Sequence, residues 1–496
     1  MADIEQFEDL TTSDSAQGTA EPGGGDAPTI ELEAVPENKR SPYVRPALSP
    51  LPFFTVNKQG LPELTSRSEL NGEDVRKLLN KFGSPLYLVS EDRLRKDFRA
   101  FQQAFTSPGI ETRVAYSVKT NYLPAICSII FDEGGWAEIV SGMEYGLVKA
   151  LGVPGREIIF NGPHKTYDEL QTALADGCIV NVDNFDELSM IEEIASELSS
   201  PARLGIRINF RYGLSPWTKF GFSDDNEECQ QALERIARHP NLRLDLLHNH
   251  SGTFQLLHEV YENSITRLID VAKRARELGL APTMVDVGGG FPSVNTLKPV
   301  FDVPGGSTRD EGHLFRYAQV ICGKLQRARD LFGGRPTLVL EPGRAVVDAC
   351  TKLACTVVAR KEIEGQGPSV IVDAGVNLVP TACYYDHGVQ RPPAESREEA
   401  PVEFRRPTNV FGPLCMQSDQ LRERALLPEV DIGDPLVIDN VGAYCHTQSS
   451  QFIQSRPATV LLGPEGPELI RRRETWEDIF ALDRVPERIA RNPFNK

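Results

Sequence analysis

Positive charge is what this sequence most lacks. Its 53 Lys and Arg residues face 70 Asp and Glu, for a net charge of −17. With no basic stripe to set against that excess, the composition argues against a nucleic-acid binder. Paired cysteines are missing as well. The nine cysteines are scattered with no CxxC spacing, so neither a zinc site nor a disulfide framework is indicated. No run approaches the roughly 18 apolar residues a membrane span needs. The N-terminus, MADIEQFEDL, has no apolar stretch of the signal-peptide kind. These absences lead to the expectation of a soluble, cytoplasmic protein without membrane or nucleic-acid partners.

At 496 residues the chain exceeds what one core usually organises, so two large domains are expected. Residues 1–45 are acidic and rich in Gly, Ser and Pro (TAEPGGGDAP), and they read as a disordered tail. Residues 46–95 contain a helical pattern in SELNGEDVRKLLNKFG and a buried-strand pattern in PLYLVS. From 96 to 345, short apolar runs alternate with helical stretches. The runs are VAYSVK, WAEIVS, EIIFNG, CIVNVD, LGIRIN, LRLDLLHNH, MVDVGGG and TLVLEPG. Eight strand–helix units predict a closed parallel (β/α)8 TIM barrel in preference to an open doubly wound sheet. Each run ends in a polar or glycine position: Lys119, Ser141, Asn161, Asp183, Asn209, His250, the glycines 288–290 and Glu341. In such barrels those ends build the active site. From 346 to 496 the pattern turns β-rich, which predicts a second domain completed by the segment near 50–90.

Several motifs carry chemistry. VDVGGGFP runs a strand into Gly288, Gly289 and Gly290, whose N–H groups can approach an anion closely, although glycine clusters also make ordinary turns. EPGRAV sets Glu341 and Arg344 around a Pro-Gly turn, either as a surface ion pair or as separate contacts to a phosphate and a cofactor nitrogen. HNHSGT offers two histidines with no obvious third metal ligand, or a flat ring at His250 with Thr253 beside it. GPLCMQSDQ puts Cys415 in a loop that suits an exposed thiol, and GAYCHTQSSQF supplies Tyr444. Taken alone, Lys119 in YSVKTN is either a surface charge or a covalent anchor.

The order of YSVKTN, HNHSGT, DVGGGFP, EPGRA, YYDHG, GPLCMQSD and GAY resembles the fold-type III pyridoxal-phosphate decarboxylases from about residue 80 onward, and RRRETWEDIF resembles the tail of the diaminopimelate branch. The resemblance implies a barrel of the alanine-racemase type, a pyridoxal 5′-phosphate cofactor, no metal, and a homodimer with shared active sites acting on a small amino-acid substrate. It implies that Lys119 forms the Schiff base with the cofactor and that Glu341 keeps the pyridine nitrogen protonated. His250 would stack on the ring, and Thr253, Gly288, Gly289, Gly290, Gly343, Arg344 and Tyr444 would hold the phosphate. Cys415, from the second subunit, would reprotonate the substrate carbon. Arg344, Tyr385, Asp386, Met416, Asp419 and Tyr444 would face the substrate. Glu138 stands where an aspartate is commoner.

Two positions depart from the diaminopimelate pattern. Thr381 stands for an arginine and Met416 for a glutamate, which predicts as substrate an amino acid or amino-acid conjugate other than diaminopimelate, carrier-linked amino acids included. Diaminopimelate, ornithine and lysine are the alternatives, followed by a non-catalytic binding protein or a racemase. The loop at 293–312 reads as either a lid or an inert insertion.

Overall fold

The computed structural model describes residues 73–211, 219–293, 295–298, 313–392 and 405–489, with short strand pairings at 54–56, 62–64 and 69–70. The expected tail at 1–45 and most of the 293–312 loop lie outside the described residues.

The eight apolar runs form eight parallel strands: Glu111–Ser117, Trp136–Ile139, Ile158–Phe160, Ile179–Val182, Ala202–Asn209, Leu242–His248, Met284–Asp286 and Thr337–Leu340. Each pairs with the next, and the eighth returns to the first through Thr337↔Glu111 and Leu340↔Val114. The predicted (β/α)8 barrel is therefore closed. Successive side chains of a strand point to opposite faces, and the packing follows that rule. Val114 and Tyr116, Ile158 and Phe160, and Leu338 and Leu340 join the large core between strands and helices. Their neighbours Ala115, Ile159, Ile179, Leu246, Met284 and Val339 form a separate cluster that fills the barrel.

The helices follow the expected stretches, including Gly142–Ala150, Tyr167–Ala175 and His258–Glu277. Their starts have chemical causes. Ser141 accepts the Glu144 N–H, and Thr166 and Glu169 form a reciprocal capping box.

The β-rich segments build a second sheet with its own core, including Leu353, Val357, Val372, Val410, Leu436 and Ile438. The early strand Leu86–Ser90 sits inside it. It runs antiparallel to Thr351–Ile363 on one side and parallel to Ala458–Gly463 on the other. The second domain is thus completed by an N-terminal segment, as the sequence predicts. Two strands that the sequence reading did not single out, Arg406–Phe411 and Gln420–Leu427, extend the sheet. The second domain meets the barrel at the loop 442–444. Asn121 Nδ2 donates to the Gly442 carbonyl at 2.9 Å, and the Tyr444 N–H donates to the Thr120 carbonyl at 2.9 Å.

Candidate active site

Two residues past the plug position, which is apolar in seven strands and Gly205 in the fifth, each strand places a polar residue on the same inward face. These are Ser117, Glu138, Asn161, Asn181, Arg207, His248, Asp286 and Glu341, one per strand. Period-two alternation thus lays a polar layer directly on an apolar one. Above it opens a cavity of about 340 Å3, within the general range of small-molecule sites. Lys119, His250, Thr253, Gly289, Gly290, Glu341, Gly343, Arg344 and Tyr444 all line it.

Lys119 sits on a short turn, Val118–Thr120, that ends the first barrel strand. Its Nζ lies 2.5 Å from Oε2 of Glu138, which is buried. Burial pulls the Lys119 amine down, but the charges of Glu138, Tyr444 and Glu341 outweigh it and hold the amine above the ordinary lysine value.

Glu341 is buried at the end of the eighth strand and accepts a hydrogen bond from Asn161 Nδ2 at 2.6 Å. His248 Nε2 lies 3.5 Å from its other oxygen. Burial alone would raise the Glu341 carboxyl. The His248 ring and the proton held by Asp286 outweigh that and keep Glu341 ionised below the usual carboxylate range. Asp286 is pushed well upward, first by burial and then by the Glu341 charge, so it carries the proton of the pair.

Burial, helped by the Arg207 charge, lowers the His250 ring to about 3 and keeps it neutral. Its Nδ1 accepts the Gly289 N–H at 3.0 Å. Gly290 adopts φ +89°, and a side chain there would meet the Gly252 carbonyl at 2.2 Å, so the loop accepts only glycine. Arg344 is buried among aromatic rings, 4.7 Å from the Tyr385 ring and 5.0 Å from the Tyr444 ring, and its Nη1 makes no hydrogen bond. Tyr444 itself adopts φ +65°, a strained conformation for a bulky residue and one that clusters at functional sites.

This donor set fits a flat heteroaromatic anion. A buried guanidinium whose Nη1 makes no hydrogen bond and lies 3.9 Å from Asp348, together with a glycine loop, suits a phosphate. An ionised carboxylate suits a ring nitrogen, a neutral imidazole suits a ring face, and a primary amine suits an aldehyde.

The remaining expected residues lie elsewhere. Gly288 stands just behind the cavity, its carbonyl accepting the Glu341 N–H at 3.0 Å. Tyr385 is buried against Arg344, while Asp386 pairs with Arg422 at 3.3 Å. Cys415 and Met416 stand exposed on their loop, outside the cavity lining. Asp419 is buried beneath that loop, where its two oxygens accept the Val376 and Leu414 N–H groups, each at 2.7 Å. Of the strand-end residues, Ser141 caps a helix and Asp183 lies 3.9 Å from Arg207. The sequence reading missed Asn181, Arg207 and Asp286 as site residues and weighed His248 only as one of a histidine pair. The signal that finds them is their inward parity with Glu341 along alternating strands.

Comparisons with known proteins agree with this chemistry. A family model described as "Pyridoxal-dependent decarboxylase, pyridoxal binding domain" matches residues 91–348. The chain is similar to the diaminopimelate decarboxylase of Helicobacter pylori, 32% identical over 81% of this chain and 95% of that protein. It is 30% identical to that of Methanothermobacter thermautotrophicus over 85% and 96%, respectively. Among solved structures, it is similar to the M. jannaschii diaminopimelate decarboxylase in complex with L-lysine. The TM-score is 0.77 at 27% identity, covering 89% of this chain and 99% of that one.

Proposed function

The chain belongs to the pyridoxal-dependent decarboxylases, and from that premise we propose how its residues serve a pyridoxal 5′-phosphate-dependent amino-acid carboxy-lyase. The bound cofactor supplies an electron sink for the electron pair left when the α-carboxylate departs as CO2. Lys119 supplies the amine that anchors it. The observation that carries this reading is the position of Lys119: it ends the first barrel strand, bound to buried Glu138, in one cavity with ionised Glu341 and with Arg344, whose Nη1 makes no hydrogen bond.

Glu341 holds a proton on the ring nitrogen, a role supported by its burial and its negative charge. His250, neutral and tied to Gly289, packs on the ring face. Thr253, Gly290, Gly343, Arg344 and Tyr444 hold the phosphate, Arg344 contributing an Nη1 that makes no hydrogen bond. Gly288 and Gly289, whose N–H groups are held by Asp286 Oδ1 and His250 Nδ1, shape the loop that carries Gly290. Cys415 returns a proton to the substrate carbon across the interface of a cytoplasmic homodimer. Its exposure and its place outside its own chain's cavity lining support that assignment. Among the described residues no helix is long and apolar enough to cross a membrane.

For the substrate we infer an amino acid, or an amino-acid conjugate, other than diaminopimelate. Thr381 is wholly buried, its hydroxyl 2.8 Å from His387 Nε2 and 2.9 Å from Cys445 Sγ. It therefore offers no cation to a distal carboxylate, and Met416 offers none of a glutamate's charge to a distal ammonium. Tyr385, Asp386 and Met416 face the substrate in this reading, with Arg344 and Tyr444, and Asp419 holds the Cys415 loop in place. The similarity to diaminopimelate decarboxylases favours the second reading, diaminopimelate itself. Release of CO2 from a panel of diaminopimelate, lysine, ornithine and their conjugates decides between them. Rapid turnover of diaminopimelate would overturn the first reading.

A further inference from the structure

We propose that Asn161 is a positioning residue: clamped by Asn181, it ties Glu138, the carboxylate on the anchoring lysine, to Glu341, the carboxylate assigned to the ring nitrogen. The inference rests on the reading given above and adds a residue which that reading does not use. Asn161 stands 23 residues after Glu138 and 180 before Glu341, yet its one Nδ2 reaches both. It donates to Glu138 Oε1 at 3.0 Å and to Glu341 Oε1 at 2.6 Å. Only Asn and Gln carry two donors on a single neutral side-chain nitrogen.

The amide works in one orientation only. Reversed, it would turn its oxygen toward two carboxylates. Asn181 blocks the reversal by donating from Nδ2 to Asn161 Oδ1 at 2.6 Å. Asn181 in turn needs the space left by Gly205, where a Cβ would lie 1.6 Å from Asn181 Oδ1. That explains a glycine in the middle of the barrel strand Ala202–Asn209. The charged and titratable groups around the pair are Lys119, Lys165 and Arg207 on the positive side, Glu138, Glu144, Glu341 and Asp286 on the acidic side, and His248 and His250. A neutral double donor keeps the two carboxylates aligned without adding to either charge.

The isosteric variant Asn161→Asp provides the test. Its carboxyl stands beside two carboxylates, so repulsion raises its pKa. Below that pKa the protonated group still donates one hydrogen bond, and above it a third negative charge drives Glu138 and Glu341 apart. Protein loaded with pyridoxal phosphate is gel-filtered between pH 6 and 9, and the retained visible band is measured. Melting of the cofactor-free proteins is measured alongside.

The wild type retains the band at every pH. Asn161→Asp loses it as pH rises, with the slope of one proton. Asn161→Ala and Asn181→Ala bind the cofactor about tenfold more weakly, a factor that corresponds to ~1.4 kcal/mol, at every pH. An Asn161→Asp profile that superimposes on the wild type overturns the proposal, even if the melting temperature drops. So does wild-type affinity in both alanine variants. A wild type that never acquires the band defeats the pyridoxal reading instead, so the two failures are distinguishable.

Discussion

Alanine at Gly289 is the sharpest perturbation of the glycine loop. A Cβ there would stand 2.3 Å from the Glu341 carbonyl oxygen and 3.7 Å from His250 Cε1. Ordinary heavy-atom contacts lie at about 3.5 Å, so one backbone must withdraw by roughly 1 Å. The two backbones are joined by the Glu341 N–H donating to the Gly288 carbonyl at 3.0 Å, and withdrawal weakens that bond too. Forcing a methyl group into a packed site of this kind costs about 1–3 kcal/mol. The loop is the element that yields, and with it move His250, which accepts the Gly289 N–H, and Gly290, assigned to the phosphate. Cofactor affinity is therefore expected to fall about 5- to 150-fold. Titration of the cofactor-free variant with pyridoxal phosphate, followed by visible absorbance, gives the dissociation constant. A value within twofold of the wild type would refute the assignment of this loop to the phosphate.

Three further outcomes are expected. Cys415→Ala lowers kcat by about 10²- to 10⁴-fold, as loss of a general acid does, while cofactor binding is unchanged; steady-state kinetics with absorbance titration checks both. Gly146→Ala, at an exposed helix position with no atom within 4 Å of the new Cβ, stabilises the fold by about 0.5–1 kcal/mol in a thermal or urea melt. Burial lowers His250 to about 3, and His387 and His446 to about 4. In the unfolded chain each titrates near ~6.5, so between about pH 6.5 and 4 the unfolded state binds more protons. Stability is full above ~6.5 and falls as pH drops, by roughly 2 kcal/mol per histidine at pH 5. Asp348, which burial raises to about 6, and Asp286, which burial raises further, act in the opposite direction. The histidine contribution is therefore read as the difference between the pH dependence of melting, from pH 7 to 5, of the cofactor-free wild type and of His446→Gln, the wild type losing more stability on acidification than the variant.

The barrel was legible because each strand is a single short apolar run with helical spacing between runs, so local pattern alone counts the units. Leu86–Ser90 was legible as a strand but not in its place, since its partners lie more than 260 residues away in the chain. Arg406–Phe411 and Gln420–Leu427 were missed because much of each faces solvent and breaks the apolar pattern. At the site, Lys119, His250 and Glu341 were conspicuous as polar residues closing apolar runs. Asn181, His248 and Asp286 lie inside such runs, where one polar residue reads as noise until the inward parity of every strand is known. The double donation by Asn161 links three strands that only barrel closure brings together.

The central claim is that Lys119 anchors the cofactor. Borohydride reduction of the holoenzyme, followed by peptide mapping by mass spectrometry, tests it most directly. The account predicts loss of the visible band and a reduced pyridoxyl phosphate group on the peptide carrying Lys119, and on no other lysine. A label on buried Lys165 or cavity-lining Lys219 in its place, or no label at all, would contradict it.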